Sequence, residues 1–250
     1  MASVSLSLVK IWICLSYRTG KPYPMHRFII VLIFVLTGIS ASAQHYKYID
    51  STKISGPAWY KKQVKTNPDK QLVEIRRYIP QIALDIRYAT TNNFMHRRMY
   101  QQAKAYARLP VVKALQLVET DLQTRGLGLK IYDAYRPYSV TVKFYEMTPD
   151  TNFVANPRRG SKHNRGCAVD LSLIDLKTGK ELDMPTPFDS FSKKAAANYP
   201  TLSKKQLENR ELLKTIMQAN GFTVLKTEWW HYDFNGWAGY ELLDVPFSGL

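Results

Sequence analysis

The sequence predicts an α+β fold, in which a small, mainly antiparallel sheet is flanked by helices and leaves a cleft on its open face. Three observations lead there. After Gly166 the residues alternate, with Cys167, Val169, Leu171 and Leu173 on one side and Ala168, Asp170 and Ser172 on the other, the period-two pattern of a half-buried strand. The stretch Glu228–Phe234 alternates in the same way, with Trp230, Tyr232 and Phe234 facing away from His231 and Asp233. Two longer stretches, Pro110 to Gly126 and the one after Ser203, repeat their apolar residues at helical spacing.

Taken in order, residues 1–24 read as an upstream extension, because Met25 is itself a sensible start codon directly ahead of a basic and then apolar stretch. His26-Arg27, the apolar run Phe28 to Ile39 and the small-x-small pattern Ala41-Ser42-Ala43 form an expected signal peptide over 25–43, cleaved after Ala43. This apolar stretch of twelve residues is too short for a stable membrane span, which takes about twenty. The protein is therefore expected to be exported to the periplasm. Residues 44–70 are polar and weakly patterned, a mobile lead-in with Trp59 and Tyr60 resting on the domain. A single domain is expected over 71–250, since neither repeat nor linker divides it.

Within that domain, Ile82 to Tyr88 alternates as a strand should. Pro110 in a first turn and Gly126 at an end bound a helix whose Val111, Leu115, Val118 and Leu122 share a face. Leu127 to Ala134 is a strand that Arg136-Pro137 ends, which puts the arginine where a sheet meets a cleft. Ser139 to Met147 reads as a short helix, Asp175 to Gly179 as a turn, and Glu181 to Asp189 as a proline-punctuated segment. Ser203 with Gln206 makes a capping box before Leu207, Leu212, Ile216 and Met217, and Asn220-Gly221 stops that helix. Phe222 to Leu225 is a further strand.

The candidate chemistry lies in Ser161-Lys-His-Asn-Arg-Gly-Cys-Ala-Val-Asp170 and Glu228-Trp-Trp-His231. Strands carrying these motifs would present His163, Asp170 and His231 to a common cleft. Two imidazoles and a carboxylate suit catalytic zinc, which takes three protein ligands and leaves a fourth position for water. Glu228 is the carboxylate placed to move a proton beside such a water, provided that a turn ahead of the strand brings it to the side of His231. Taken alone, Arg136 reads more readily as a surface ion-pair partner, a reading that only the accompanying motifs reverse, and Asp189 alone reads equally as a turn or capping residue. His96, with no partner at ligand spacing, is a poor ligand candidate.

Together, Ser161-x-His163-x-x-Gly166-x-Ala168-x-Asp170 and Glu228-x-x-His231, with Tyr132-Asp-Ala-Tyr-Arg136-Pro137 and Met184-Pro-Thr-Pro-Phe-Asp189, resemble the zinc D-alanyl-D-alanine dipeptidases of the VanX type, peptidase family M15. The likeness runs from about Leu72 to the C-terminus. It implies a Hedgehog/DD-peptidase-like sheet with one zinc per chain on His163, Asp170 and His231, Glu228 as general base and Arg136 as the group that stabilises the transition state. It also implies Asp189 as the anchor of a free substrate ammonium, Ser161 at the substrate carboxylate and Tyr88 near the amino end. The implied activity is hydrolysis of D-Ala-D-Ala in the cell envelope, as part of peptidoglycan metabolism. A zinc D,D-carboxypeptidase that trims longer stem peptides is the nearest alternative. A non-catalytic wall-binding protein is the alternative from another class.

Composition bounds the partners. The chain of 250 residues carries 35 Lys+Arg against 20 Asp+Glu, a formal charge of +15. Removing residues 1–43 takes four basic and no acidic residues, so 31 stand against 20 and the charge stays at +11. With export expected and no aromatic-basic RNA motif, that balance favours an anionic envelope surface or an acidic small substrate over nucleic acid. Of two cysteines, Cys14 precedes the expected cleavage point and Cys167 stands alone, so the mature chain has no intramolecular disulfide.

Overall fold

The structure, a computed structural model, describes residues 46–148 and 154–250. The upstream extension and the signal peptide lie outside them. Among the described residues no helix is long and apolar enough to cross a membrane.

In chain order the elements are β1 (Ile54–Ser55), α1 (Pro57–Thr66), β2 (Leu72–Glu74), α2 (Ile75–Tyr78), β3 (Ala83–Leu84) and β4 (Tyr106–Arg108). Next come α3 (Leu109–Gln123), β5 (Leu127–Asp133), α4 (Tyr138–Met147), β6 (Ala168–Asp175), α5 (Lys204–Ala219), β7 (Phe222–Leu225), β8 (Glu228–Phe234) and β9 (Leu242–Leu243). The main sheet has five strands in the order β3-β5-β6-β8-β7. Three of its pairings are antiparallel and β3 runs parallel to β5, so the fold is α+β as expected. Two small pairs, β2 with β4 and β1 with β9, lie outside it.

Two helices cover this sheet. Helix α3 carries Pro110 in its first turn, where the missing N–H costs nothing. It buries Val111, Val112, Leu115, Val118 and Leu122 and packs on β5. Helix α5 opens on the capping box read from the sequence: Ser203 Oγ accepts from Gln206 N at 3.1 Å, and Gln206 returns the bond to Ser203 N at 3.2 Å. It packs on β6, β7 and β8 and meets α3 alongside.

Three expectations need correction. Strand β6 is buried on both faces from Ala168 to Ile174, not half-buried; it is the middle strand of the five, with β5 on one side and β8 on the other. The predicted strand Ile82 to Tyr88 shrinks to the two residues of β3. After it the chain turns into the short 3-10 helix Arg87–Ala89, where Tyr88 and Ala89 are buried. The described part of the lead-in, 46–70, carries elements that the sequence did not predict: α1 occupies its centre, Tyr60 is buried with its hydroxyl accepting from Leu72 N at 2.8 Å, and β1 pairs with β9. Trp59 stays half exposed (51%).

Candidate metal centre and cleft

Sheet register brings the ligand candidates together. Asp170 of β6 stands directly opposite His231 of β8, and residues opposite each other in an antiparallel pair project to the same side. His163 comes from a turn and not from a strand, sitting in the 3-10 helix His163–Arg165. Gly166 closes that turn at φ +69°, and a Cβ there would meet Leu72 Cδ2 at 2.5 Å. Only glycine satisfies both the left-handed backbone and the space. Arg108, fully buried, holds the turn from behind: its Nε donates to Arg165 O at 2.7 Å and its backbone N to Gly166 O at 2.9 Å.

The three ligand atoms lie within 4.8 Å of one another. His163 Nε2 is 3.2 Å from His231 Nδ1, and Asp170 Oδ1 is 3.4 Å from the first and 3.0 Å from the second. The outer ring nitrogens are engaged elsewhere, His163 Nδ1 at 2.7 Å from Ala134 O and His231 Nε2 at 3.0 Å from Asp233 Oδ1. A carbonyl and a carboxylate only accept, so each of these outer nitrogens donates. In neutral rings the inner nitrogens then turn lone pairs toward one another and toward Asp170. Asp170 Oδ1 is itself buried without a well-directed hydrogen bond. Two lone pairs and a carboxylate oxygen converging with no proton in good geometry are what a cation needs, and the outer bonds fix the ring orientations that ligation requires. The residues present therefore fit a metal ion with two N ligands and one O ligand.

Electrostatics favour positive charge at the same spot. Burial pulls the His231 pKa down, but the Asp170 and Asp233 carboxylates beside its two ring nitrogens and the charge of Glu228 outweigh it and lift it to about 10, so that without a metal a proton on His231 supplies the positive charge. For Asp170 burial pushes the pKa up, and His163 and His231 overcome it and hold the carboxyl well below its usual range. Asp233, held from its other side by Lys162 at 2.8 Å, is likewise lowered once His231 and Lys162 outweigh its burial.

Two irregularities flank β6. Between β5 and β6 the register shifts between Ile131 and Asp133, so that Asp133, and not Tyr132, stands opposite Asp170. Between β7 and β8 it shifts between Val224 and Leu225, and Leu225 pairs with Glu228 while Val224 pairs with Tyr232. Such bulges re-aim side chains. Here the second resolves the parity problem of Glu228 and His231 within β8 itself, not in a turn ahead of it. Glu228 Oε2 lies 3.9 Å from His231 Nδ1. Burial raises its pKa to about 7, with His231 and Arg136 pulling down and Asp170 pushing up.

Arg136, just past the end of β5, is buried. Its Nε and Nη2 both donate to Asp133 Oδ2, at 3.0 and 2.7 Å, and its guanidinium lies 5.4 Å from the Tyr88 ring and 4.7 Å from that of Phe144. Asp133 is completed by Tyr100 OH at 2.8 Å and Ala134 N at 2.9 Å. Tyr88 OH donates to Asp189 at 3.1 and 2.9 Å. Asp189 holds φ at +60°, a conformation that is uncommon outside glycine and costs of order 1 kcal/mol or more. Burial and the charge of Asp170 raise its pKa well above the ordinary aspartate value. Ser161 Oγ accepts from His163 N at 3.2 Å.

All eight residues singled out in the sequence, Tyr88, Arg136, Ser161, His163, Asp170, Asp189, Glu228 and His231, line one cleft of about 320 Å³. Its apolar wall includes Phe94, Phe144, Phe191 and Trp230. His96 is exposed and outside it. The sequence reading assigned no role to Asp133, Asp233 or the Ala134 carbonyl. The first sits three residues before Arg136 in a quoted motif and the second shares the face of His231, so both carried a signal; a backbone carbonyl carries none.

The family model that describes a D-ala-D-ala dipeptidase, peptidase M15, matches residues 68–247. D-alanyl-D-alanine dipeptidase of Escherichia coli K12 is 35% identical over 178 residues, which cover 71% of this chain and 92% of that protein. The enzyme of the same name from Enterococcus faecalis is 28% identical over 183 residues, covering 65% and 87%. Among solved structures, VanYB in complex with D-alanine-D-alanine aligns at a TM-score of 0.37 and 14% identity, over 54% of this chain and 75% of the other.

Proposed function

Because the chain belongs to peptidase family M15, the D-Ala-D-Ala dipeptidases, we propose that it is a zinc-dependent dipeptidase hydrolysing D-Ala-D-Ala in the cell envelope. The observation that carries this reading is the convergence of His163 Nε2, His231 Nδ1 and Asp170 Oδ1, without a well-placed proton, beside a carboxylate with a pKa of about 7. The residues would hold a zinc ion, which when bound acidifies a water and polarises the scissile carbonyl.

The remaining chemistry belongs to the side chains. Glu228 takes the proton of the attacking water and returns it to the leaving amine; a pKa near the working pH suits a group that must do both. Arg136, fixed in orientation by two bonds to Asp133, presents a rigid cation to the oxygen on which negative charge develops. Asp189, oriented by Tyr88, pairs with the substrate ammonium, and Ser161 bonds the substrate carboxylate. The cleft lies at the small end of ligand pockets, which run about 300–1,000 Å³, in keeping with a dipeptide. The envelope location rests on the signal-like run 25–43.

Metal analysis and an amino-acid release assay on D-Ala-D-Ala, its N-acetylated form and a wall pentapeptide, with and without chelator, test this reading. The expected result is one zinc per chain and chelator-sensitive release of D-alanine, fastest from the free dipeptide. Protein purified without a transition metal, or faster release from the pentapeptide, overturns it.

A further inference from the structure

A second cleft, of about 610 Å³, opens beside β1 and the start of α1. We propose that it is a binding groove for a carboxylated glycan, separate from the catalytic cleft and independent of the reading given to that cleft. Its lining includes Lys53, Arg158, Arg159, Arg165, Trp59 and Glu241.

The charge in this groove is lopsided. Glu241 is its one carboxylate, and Lys70 and Gln63 Nε2, the latter at 2.9 Å, already engage it. Arg165 donates to Tyr240 O and lies 5.4 Å from the Trp237 ring. Arg158 and Arg159 are exposed, and among the described residues neither side chain meets an acidic partner. Lys53 is exposed as well and makes no ion pair, although its charge reaches Asp50. Arg158 and Arg159 thus face a concave surface without an acidic partner among the described residues, with Lys53 beside them partly offset by Asp50, a distribution that concentrates anions. Two adjacent guanidinium forks match carboxylate geometry in particular.

Trp59 decides the class of anion. Its indole forms part of the groove wall, half of it exposed, with Lys62 Nζ 5.4 Å from the ring. One aromatic platform among cations suits the C–H face of a sugar ring. Single-stranded nucleic acid is held by several aromatics on which successive bases stack, and Trp59 is the one aromatic in this lining. The groove also adjoins the site: the segment that contributes Arg158, Arg159 and Arg165 contributes Val154, Ala155, Ser161 and His163 to the catalytic cleft.

The test is calorimetric titration of the protein with a hexasaccharide containing alternating glucuronate, with neutral chitohexaose and with an oligodeoxynucleotide of equal charge. The parent is expected to bind the acidic hexasaccharide at least tenfold more tightly than chitohexaose, with affinity falling as salt rises. The variant R158E/R159E should lose at least tenfold of that affinity and Trp59→Ala severalfold, both retaining the parental rate on free D-Ala-D-Ala. Equal affinity for the neutral and acidic sugars, or unchanged affinity in R158E/R159E, overturns the groove. Tighter binding of the oligonucleotide overturns the glycan assignment.

Discussion

At one end of the catalytic cleft His163, Asp170 and His231 turn three electron-pair donors toward one point with no well-placed proton between them. At the other, Arg136, Asp133 and Tyr100 form a buried cluster in which the carboxylate receives the guanidinium, a hydroxyl and a backbone N–H. Both ends bury charge, but the first is complete only with a cation from outside, while the second is complete as folded. Removing metal should therefore strike the first end alone, and substitutions should divide between those that change metal content and those that change only rate.

The largest effect falls on the ligand end. His163→Ala or His231→Ala should lose bound zinc and, with it, all measurable hydrolysis. Thermal melts give the discriminating readout, because a metal held at a hundred times its Kd adds about 2.7 kcal/mol of stability. Chelator should lower the parental melting temperature and leave that of His163→Ala unmoved; equal shifts in both would assign the metal elsewhere.

Next comes Glu228, adjacent to the ligands but not one of them. Glu228→Gln should retain zinc and lose about 10²–10⁴ in kcat, the usual contribution of a positioned acid–base group. Activity within tenfold of the parent would place the base in another residue. At the self-contained end, Arg136→Ala should cost about 10²–10³ in kcat, the scale of one lost oxyanion donor, with zinc content unchanged. Asp133→Asn leaves a buried guanidinium uncompensated and should destabilise the fold by about 3–5 kcal/mol, read by denaturant melts. If either variant loses zinc, the two ends are coupled and the contrast between them fails.

The halves of this comparison were not equally legible in the sequence. Alternation along Cys167–Ser172 and Trp230–Phe234 is a local property, and it placed Asp170, His231 and Asp233 on the sides where the structure has them. Caps are local as well, so the helix read as Pro110 to Gly126 is α3 to within a turn and Ser203 does open α5. Bulges are not local. The shifts that bring Asp133 opposite Asp170 and Glu228 to the side of His231 are properties of paired strands, and no single segment encodes them. Helix α1 was missed for a related reason: Tyr60 is its one buried residue, so its pattern carries almost no apolar period. Ile82 to Tyr88 kept its period, but the chain leaves the sheet at Leu84 to bury Tyr88 against Phe94, Phe144 and Phe188.

The smallest effect probes Asp189, which belongs to neither end yet feels both, Asp170 raising its pKa and Arg136 lowering it. Asp189→Asn preserves the shape and leaves an oxygen for the Tyr88 hydroxyl, so it removes charge and little else. A hydrogen bond to a charged group contributes about 1.5–3 kcal/mol, and a decade of rate corresponds to about 1.4 kcal/mol, so kcat/KM for free D-Ala-D-Ala should fall by roughly 10–150-fold. N-acetyl-D-Ala-D-Ala has no ammonium to offer, and the parent should disfavour it by a comparable factor, whereas Asp189→Asn should disfavour it far less. Ionisation adds a second signature. Because burial raises the pKa of this carboxyl, pairing with an ammonium requires it to release a proton, and parental preference for the free amine should grow as pH rises through that pKa. Asp189→Asn, with nothing to ionise there, should show a flat preference. If parent and variant discriminate equally at every pH, Asp189 merely holds the φ +60° corner of the cleft and the ammonium is bound elsewhere.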